Sequence, residues 1–600
     1  MNSLLNLWHQ HMPIFSILLP ALTAFILVLL GNPGAGSLQH DWRQPWRRGI
    51  SFISTSLGLA MAIHYLIYTS SGQITVYSLS EWAAPFGIVL VLDQLSAFML
   101  LLTYALALPV MWYASSFWDS RGRYFHAMMH FLLMGLCGAF LTGDLFNLFV
   151  FFEILLMASY VLLLHGQGKA RFQLGIHYVI INLFASALFL IGLGIVYGSV
   201  GSLNMVDVAR LLPNLAADEH QLAVAGGLLL FIVFGIKAAI LPVGFWLPKT
   251  YAVASTPVAA IFTIMTKVGI YAILRVNGTV FADLDQQQLF KHLLLGIGLV
   301  TTLYGAVAAM AAERLRRFVG FMVLSSIGTL LIALSMLSVN AWSGALYYLV
   351  HSTLIAAALY LLTGWITSQR GELKDHLKVG PKTKQHQRVA VVYFILALML
   401  AGLPPFSGFL GKVFILQASA ASAYQAWIIA VILVTSLISI IALTRVGFIL
   451  FWRATEPEDD PKQAAFAAYQ ALPSQAPPRN DWAIYILISL LIGYVVFAPQ
   501  VKQFTLSTAH QLQQHSLYQQ QILRFDDQQQ AISVQPYDAK NLPETKYAGE
   551  QADPNAKLLP HLIAPATLQG EHISPLKQQQ IEQQNLQQTD GPQLQPQEQP

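Results

Sequence analysis

The amino-acid sequence predicts an all-α polytopic membrane protein with about fourteen transmembrane helices, and three observations carry that prediction. Hydrophobic residues fill 55% of the 600 positions and charged residues only 10%, against roughly a quarter charged in a water-soluble domain; mean hydropathy is +0.55. Apolar runs of about 20 residues, the length a helix needs to cross hydrocarbon, recur between residues 13 and 499. Lysine and arginine collect in alternate connecting segments. Helices follow rather than barrel strands, because the runs exceed a strand's length and a bilayer offers no water to unpaired peptide groups.

The approximate spans are 13–31, 50–69, 90–115, 124–141, 144–165, 172–198, 222–247, 255–276, 291–311, 317–337, 341–367, 388–418, 424–452 and 482–499. Arg43, Arg47, Arg48, Arg121, Arg123, Lys169, Arg171, Arg314, Arg316 and Arg317 fall in loops on one side, joined by the basic stretch from Arg370 to Arg388. Loops on the other side carry little beyond Arg210, Arg275 and Lys291. The positive-inside rule then predicts that both termini lie on the non-cytoplasmic side of the membrane. The run Pro13 to Gly31 has no Lys or Arg before it and no small-residue cleavage pattern after it, so it reads as a retained helix.

This organisation divides the chain into an N-terminal group of three helices (1–123), a first five-helix block (124–276), a second (291–452), a cytoplasmic loop with the last helix (453–500) and a tail (501–600). After Pro499 the composition turns Gln- and Pro-rich, which predicts a disordered tail, dispensable for transport, that buries too little apolar surface to fold. The single cysteine, Cys137, excludes a disulfide framework and an iron–sulfur site built from this chain alone. No flavin, nicotinamide or quinone motif is present, so no cofactor is expected. The formal charge of +4 gives no reason to expect a nucleic-acid partner.

Ionisable residues stand out inside the apolar runs. Glu153 lies mid-span in Phe149-Val-Phe-Phe-Glu-Ile-Leu-Leu-Met157, a placement that costs about 2.5–3.5 kcal/mol on insertion scales. Lys237, Lys267, His351 and Lys412 occupy four further spans. An acid, three lysines and a histidine at bilayer depth are tolerable only if they meet one another or water, and such a line is how proton relays are built. Burial disfavours a lysine's charge and a nearby carboxylate restores it, so moving that carboxylate switches the lysine between holding and releasing a proton. Glu153 beside Lys237 is the expected switch.

Other residues read more simply. Asp144 reads as a helix N-cap, with an ion ligand as second reading, and Asp93 as a similar case. His126, His130 and His177 fall near helix ends, where solvation is cheap, and receive no role. Lys249 reads as a positive-inside marker, and Arg445 is placed to snorkel or to line a path from the cytoplasm.

Helix breakers mark the same places. Gly235, Pro242, Gly244 and Pro248 interrupt the span bearing Lys237; Gly402, Pro404, Pro405, Gly408 and Gly411 interrupt the span bearing Lys412. Each interruption falls in the fourth helix of a five-helix block, making helices 7 and 12 the broken ones. An odd number of helices per block makes the second enter the membrane in the opposite sense, the arithmetic of two inverted five-helix repeats.

The stretches Phe152-Glu-Ile-Leu-Leu-Met-Ala-Ser-Tyr-Val-Leu162, Gly235-Ile-Lys-Ala-Ala-Ile-Leu-Pro242, Phe245-Trp-Leu-Pro248, Thr266-Lys-Val-Gly-Ile-Tyr-Ala-Ile-Leu-Arg275 and Leu403-Pro-Pro-Phe-Ser-Gly-Phe-Leu-Gly-Lys412 resemble the antiporter-like subunits shared by respiratory complex I, membrane-bound hydrogenases and Mrp-type multisubunit cation/proton antiporters. Within that family they look most like the D-type subunit of the Mrp group. The resemblance implies a fourteen-helix fold with two inverted repeats, proton-handling roles for Glu153, Lys237, Lys267, His351 and Lys412, and partners that are other subunits of a hetero-oligomeric membrane complex. Lys249 departs from the small or acidic residue common in relatives, and the polar tail is not a family feature. The implied activity is exchange of protons for sodium or potassium across the membrane; a proton channel of a redox-driven quinone reductase or hydrogenase complex is the competing reading.

Overall fold

The computed structural model describes residues 2–31, 41–79, 87–282, 287–454, 480–514 and 522. Helices dominate: α1 (Asn2–Leu29), α2 (Gln44–Thr69), α3 (Gln94–Ala114), α4 (Phe125–Leu141), α5 (Leu145–Leu164), α6 (Lys169–Val200), the short α7 (Met205–Leu211), α8 (Ala217–Ala238), α9 (Trp246–Val253) and α10 (Thr256–Ala272) form the first half. The second comprises α11 (Gln287–Met310), α12 (Leu315–Ser335), α13 (Val339–Gln369), α14 (His386–Ala401), α15 (Ser407–Ala418), α16 (Gln425–Gly447), α17 (Asn480–Val496) and α18 (Ala498–Gln513). Helix fills most of each predicted span. Among the described residues, eleven helices are long and apolar enough to cross a membrane alone, with a twelfth if α17 and α18 are taken together, while α4 and α14 are shorter apolar helices.

Local chemistry sets the helix starts. The side chains of Asp93, Asp144, Asn204 and Ser338 accept hydrogen bonds from backbone amides in the first turns of α3, α5, α7 and α13, satisfying donors that the helix itself leaves free. Asp144 is therefore the cap that the sequence suggests. Asp93 is more than a cap: Arg275 grips its carboxylate with two bonds of 2.6 and 2.9 Å. Arg275, read from the sequence as a loop charge, is 4% exposed in a π-helical extension of α10, Ile273–Val280.

Three features go beyond the expectation. Residues Val89–Leu92, placed largely inside a span by hydropathy, form strand β2, antiparallel to β1 (Thr75–Ser78), with Thr75 opposite Leu92. Each predicted broken span separates fully into two helices, α8 and α9 around residues 239–245, and α14 and α15 around residues 402–406. Pro242 lies in the first break; Pro404 and Pro405 lie in the second.

The third concerns the tail. Where composition changes, the chain instead turns by 79° into α18. The Gln94 side chain donates to Ser507 (3.0 Å) and to the Thr69 carbonyl (3.1 Å). Ser343 meets Thr505 at 2.9 Å, and Phe504 stacks on Phe98. This helix ties α3 and α13 together at one end of the bundle, and Gln511 donates to the Gly72 carbonyl just past α2 at 3.4 Å. The remainder of the predicted tail, Ile522 apart, lies outside the described residues.

Ending the chain after Pro499 removes those ties and should lower the melting temperature in detergent by about 2 °C or more. Ending it after Arg524 should leave both melting temperature and transport unchanged. Differential scanning fluorimetry of the two truncations, with transport in vesicles, makes the comparison.

Candidate functional site

Three helices hold the first group of ionisable residues. On α6, Tyr178, Asn182 and Ser186 recur every four residues and are all buried, so they form one polar stripe on an otherwise apolar helix. The Ser186 hydroxyl donates to the Glu153 carboxylate on α5. One turn away, the Asn182 carbonyl oxygen accepts from Lys237 Nζ on α8 at 3.4 Å, and its amide donates to the Tyr178 carbonyl at 2.9 Å. No ion pair joins Glu153 to Lys237 among the described residues. The expected acid–lysine neighbours are instead held one turn apart on the same face of α6, while Lys237 Nζ lies 6.0 Å over the ring of Phe152, the residue before the acid.

Lys267 continues inward. It is fully buried on α10 and its ammonium has no hydrogen-bond partner among the described residues. α10 lies against α8 almost backbone to backbone: a methyl group added at Gly269 would come within 2.5 Å of the Ala238 amide nitrogen, one residue beyond Lys237. On its other side α10 meets α13, where the Thr263 hydroxyl bonds the Thr353 carbonyl at 3.3 Å.

His351, two residues before Thr353, is 1% exposed. Its Nδ1 lies 2.8 Å from the Ser407 hydroxyl, at the start of α15. Close approach requires glycine at 408, because a methyl group there would stand 2.7 Å from His351 Nε2 and 2.4 Å from the Met399 carbonyl oxygen. Lys412 follows on α15 and folds back across the break. Its Nζ donates to the Ala401 carbonyl at 3.1 Å and to Ser436 on α16 at 3.0 Å.

The two breaks thus place a lysine in one electrostatic setting from opposite directions. Lys237 sits in the last turn of α8; Lys412 comes from beyond the break but reaches the last carbonyl of α14. Lys237 is carried by the last turn of one half-helix and the Lys412 ammonium sits on the last carbonyl of another, an end where freed carbonyls and the helix dipole favour positive charge. Turning the chain there takes a left-handed residue, Gly402 (φ +80°) in one break and Ala239 (φ +61°) in the other.

Sequence reading missed the hydroxyl and amide groups between the charges: Asn182, Ser186, Thr263, Ser407 and Ser436. The four-residue recurrence of Tyr178, Asn182 and Ser186 was a legible signal, whereas Ser436 gains meaning only from the fold. Among the described residues no group of three or more His, Cys, Asp or Glu is placed to hold a metal ion.

A polytopic helical bundle with discontinuous helices and a line of buried ionisable groups defines an ion-translocating membrane subunit, and residues 142–439 match the family described as NADH:quinone oxidoreductase/Mrp antiporter, TM. The chain belongs to that family. It is 38% identical over 75% of its length to a probable K(+)/H(+) antiporter D-type subunit of Rhizobium meliloti, covering 88% of that protein. It is 32% identical over 80% of its length to a Na(+)/H(+) antiporter D-type subunit of Bacillus subtilis, covering 93% of it. Its fold superposes on a chain of the Mrp complex from Dietzia sp. with a TM-score of 0.74 at 26% identity, covering 86% of this chain and 99% of that one.

Two substitutions probe this geometry. Lys267→Met removes a buried polar nitrogen that has no hydrogen-bond partner among the described residues and should stabilise the fold by about 1–3 kcal/mol, the cost of an unsatisfied buried group, while abolishing transport. Gly408→Ala should displace His351 and reduce transport with little loss of protein from the membrane. Thermal unfolding, immunoblotting of membranes and vesicle transport assays measure these outcomes.

Proposed function

We propose that this chain is the proton-translocating subunit of a multisubunit sodium or potassium/proton antiporter, in which external protons exchange for cytoplasmic cations. It is a secondary transporter component rather than an enzyme, and it works among the other antiporter subunits of a hetero-oligomeric complex. The observation that carries this reading is the run of ionisable groups from Glu153 through Lys237, Lys267 and His351 to Lys412, with hydroxyl or amide groups beside four of the five.

The reading includes fourteen crossings, with α4, α14–α15 and α17 added to the eleven self-sufficient spans, and two inverted five-helix repeats whose fourth members are α8–α9 and α14–α15. It places the protein in the bacterial inner membrane with both termini outside the cytoplasm. Arg171 and Arg316 donate to the carbonyls of Val253 and Ala254, which supports one common basic end, the end the positive-inside rule assigns to the cytoplasm.

In the proposed mechanism Glu153 tunes Lys237 through α6. With the carboxylate held by Ser186, one turn from Asn182, the ammonium is favoured; withdrawal of Glu153 leaves Lys237 with only the amide oxygen and the helix end, and its proton passes to Lys267. That neutral lysine's deep burial makes it a short-lived carrier toward His351 and Lys412. Each charge moved across the membrane couples to the potential by about 2.3 kcal/mol per 100 mV.

The test expresses the complete set of subunits in an antiporter-deficient host and follows the pH gradient of energised inverted vesicles. Addition of sodium or potassium should collapse the gradient and identify the cation, and Lys237→Ala should abolish the response while leaving membrane insertion intact. A native complex that ignores both cations would return the redox-driven reading to first place.

A further inference from the structure

A second set of titratable groups lies outside this line. At the basic end of the bundle, Arg48 on α2 grips Asp119 with bonds of 2.6 and 2.8 Å. His126 on α4 has both ring nitrogens engaged, Nε2 at 3.1 Å from the Asp119 carboxylate and Nδ1 at 3.1 Å from the Ser51 hydroxyl. Ser51 in turn lies 2.9 Å from Nε2 of His130, one turn further along α4. The expectation that these histidines sit in cheap interfacial solvent fails. His126 is 5% and His130 0% exposed, and His130 Nδ1 has no hydrogen-bond partner among the described residues.

Chemistry fixes the direction of this string. A carboxylate accepts hydrogen bonds and donates none, so neutral His126 carries its proton on Nε2, toward Asp119. Its Nδ1 must then accept from Ser51, and Ser51 must accept from His130 Nε2–H. That leaves His130 Nδ1 as a bare lone pair at the inner end. Burial acts to raise the Asp119 carboxyl, but hydrogen bonds from Arg48 and His126 outweigh it and hold the group at about 2. Asp119 therefore stays charged across the range in which imidazoles titrate and keeps this polarity in place. The other titratable neighbour, His165, bonds the Trp118 carbonyl at 2.7 Å through Nε2 and packs its ring on Phe125. No hydrogen bond joins it to Ser51 or His130 among the described residues.

We propose that His130, Ser51 and His126 form a second proton relay, which takes up a proton at His130 Nδ1 inside the bundle and delivers one at the Asp119 end. This rests on the antiporter reading and adds to it an outlet separate from the lysine line. The step balances: an N–H bond forms at His130 Nδ1 as the Nε2–H bond breaks to Ser51. The Ser51 hydroxyl proton passes to His126 Nδ1, and the Nε2 proton of the resulting imidazolium leaves to water beside Arg48, whose side chain is 30% exposed. Between transfers the imidazolium rests against Asp119, an opposite charge in direct contact.

The test uses the complete complex in vesicles. Ser51→Ala removes the central hydroxyl and leaves both histidines; it should slow cation-induced collapse of the pH gradient about a hundredfold or more, in the range lost with a proton-transfer group, and Ser51→Thr should restore it. Native exchange rates in Ser51→Ala overturn the relay, as does a threonine variant as slow as alanine, which would mark a packing role. Loss of exchange in the native complex would count against the antiporter reading instead. Should Ser51→Ala fail to assemble, nitrogen-15 histidine spectra of the native complex decide. A His130 protonated on Nε2 with bare Nδ1 supports the relay, and the opposite tautomer overturns it.

Discussion

A carbonyl released where a helix breaks inside a bilayer has no water to turn to, and this constraint organises the protein. The breaks after α8 and α14 free carbonyls at bilayer depth, and the chain answers with donors of its own. Lys412 reaches back to Ala401. The Trp246 indole donates to Ile236, while the Leu241 amide, also freed, finds Thr301. Nearer the basic end, Arg445 satisfies Met310 and Ala312 at the close of α11. Cations therefore stand where helices end, and the same arrangement that makes a break tolerable supplies an ammonium to hold a proton.

The two halves solve this problem with different residues. Near the middle of α6 and α13, at 32 and 31 residues the longest helices described, stand Asn182 and His351. The first is a fixed amide that only orients its neighbours; the second can itself take a proton. The acid belongs to the first half and is only partly covered by this chain, whereas Lys267 at the junction is wholly enclosed. An enclosed ammonium without a partner among the described residues is the least comfortable charge in the line, so a proton spends the least time there.

Much of this was legible beforehand because hydrocarbon is an unforgiving solvent. Span positions, the two breaks and the five ionisable residues inside apolar runs follow from composition and from where glycine and proline fall. What escaped depends on contacts between distant segments. Arg275 is the last residue but one of a stretch that hydropathy ends at residue 276, so nothing local distinguishes a loop arginine from one buried against Asp93, 182 positions away. Strand β2 reads Val-Leu-Val-Leu and merges into the following apolar run. His126 and His130 lie close to a helix end in sequence, yet α2 covers them and the Arg48–Asp119 pair closes over them. Helix α18 was hidden by its own polarity, since its hydrogen bonds are made by glutamine, serine and threonine, the residues that also signal disorder.

That last helix has a consequence for how the protein is made. Residues 498–513 leave the ribosome after every other described helix, yet they supply partners to Gln94 and Ser343, the former more than four hundred positions earlier. Until synthesis is nearly finished, one end of the bundle stands open, with α3 and α13 not yet tied across it. A nascent chain can thus be inserted, helix by helix, without being closed. Closure becomes a checkpoint of biogenesis, which an interrupted chain never passes and which membrane proteases can read from the uncovered end.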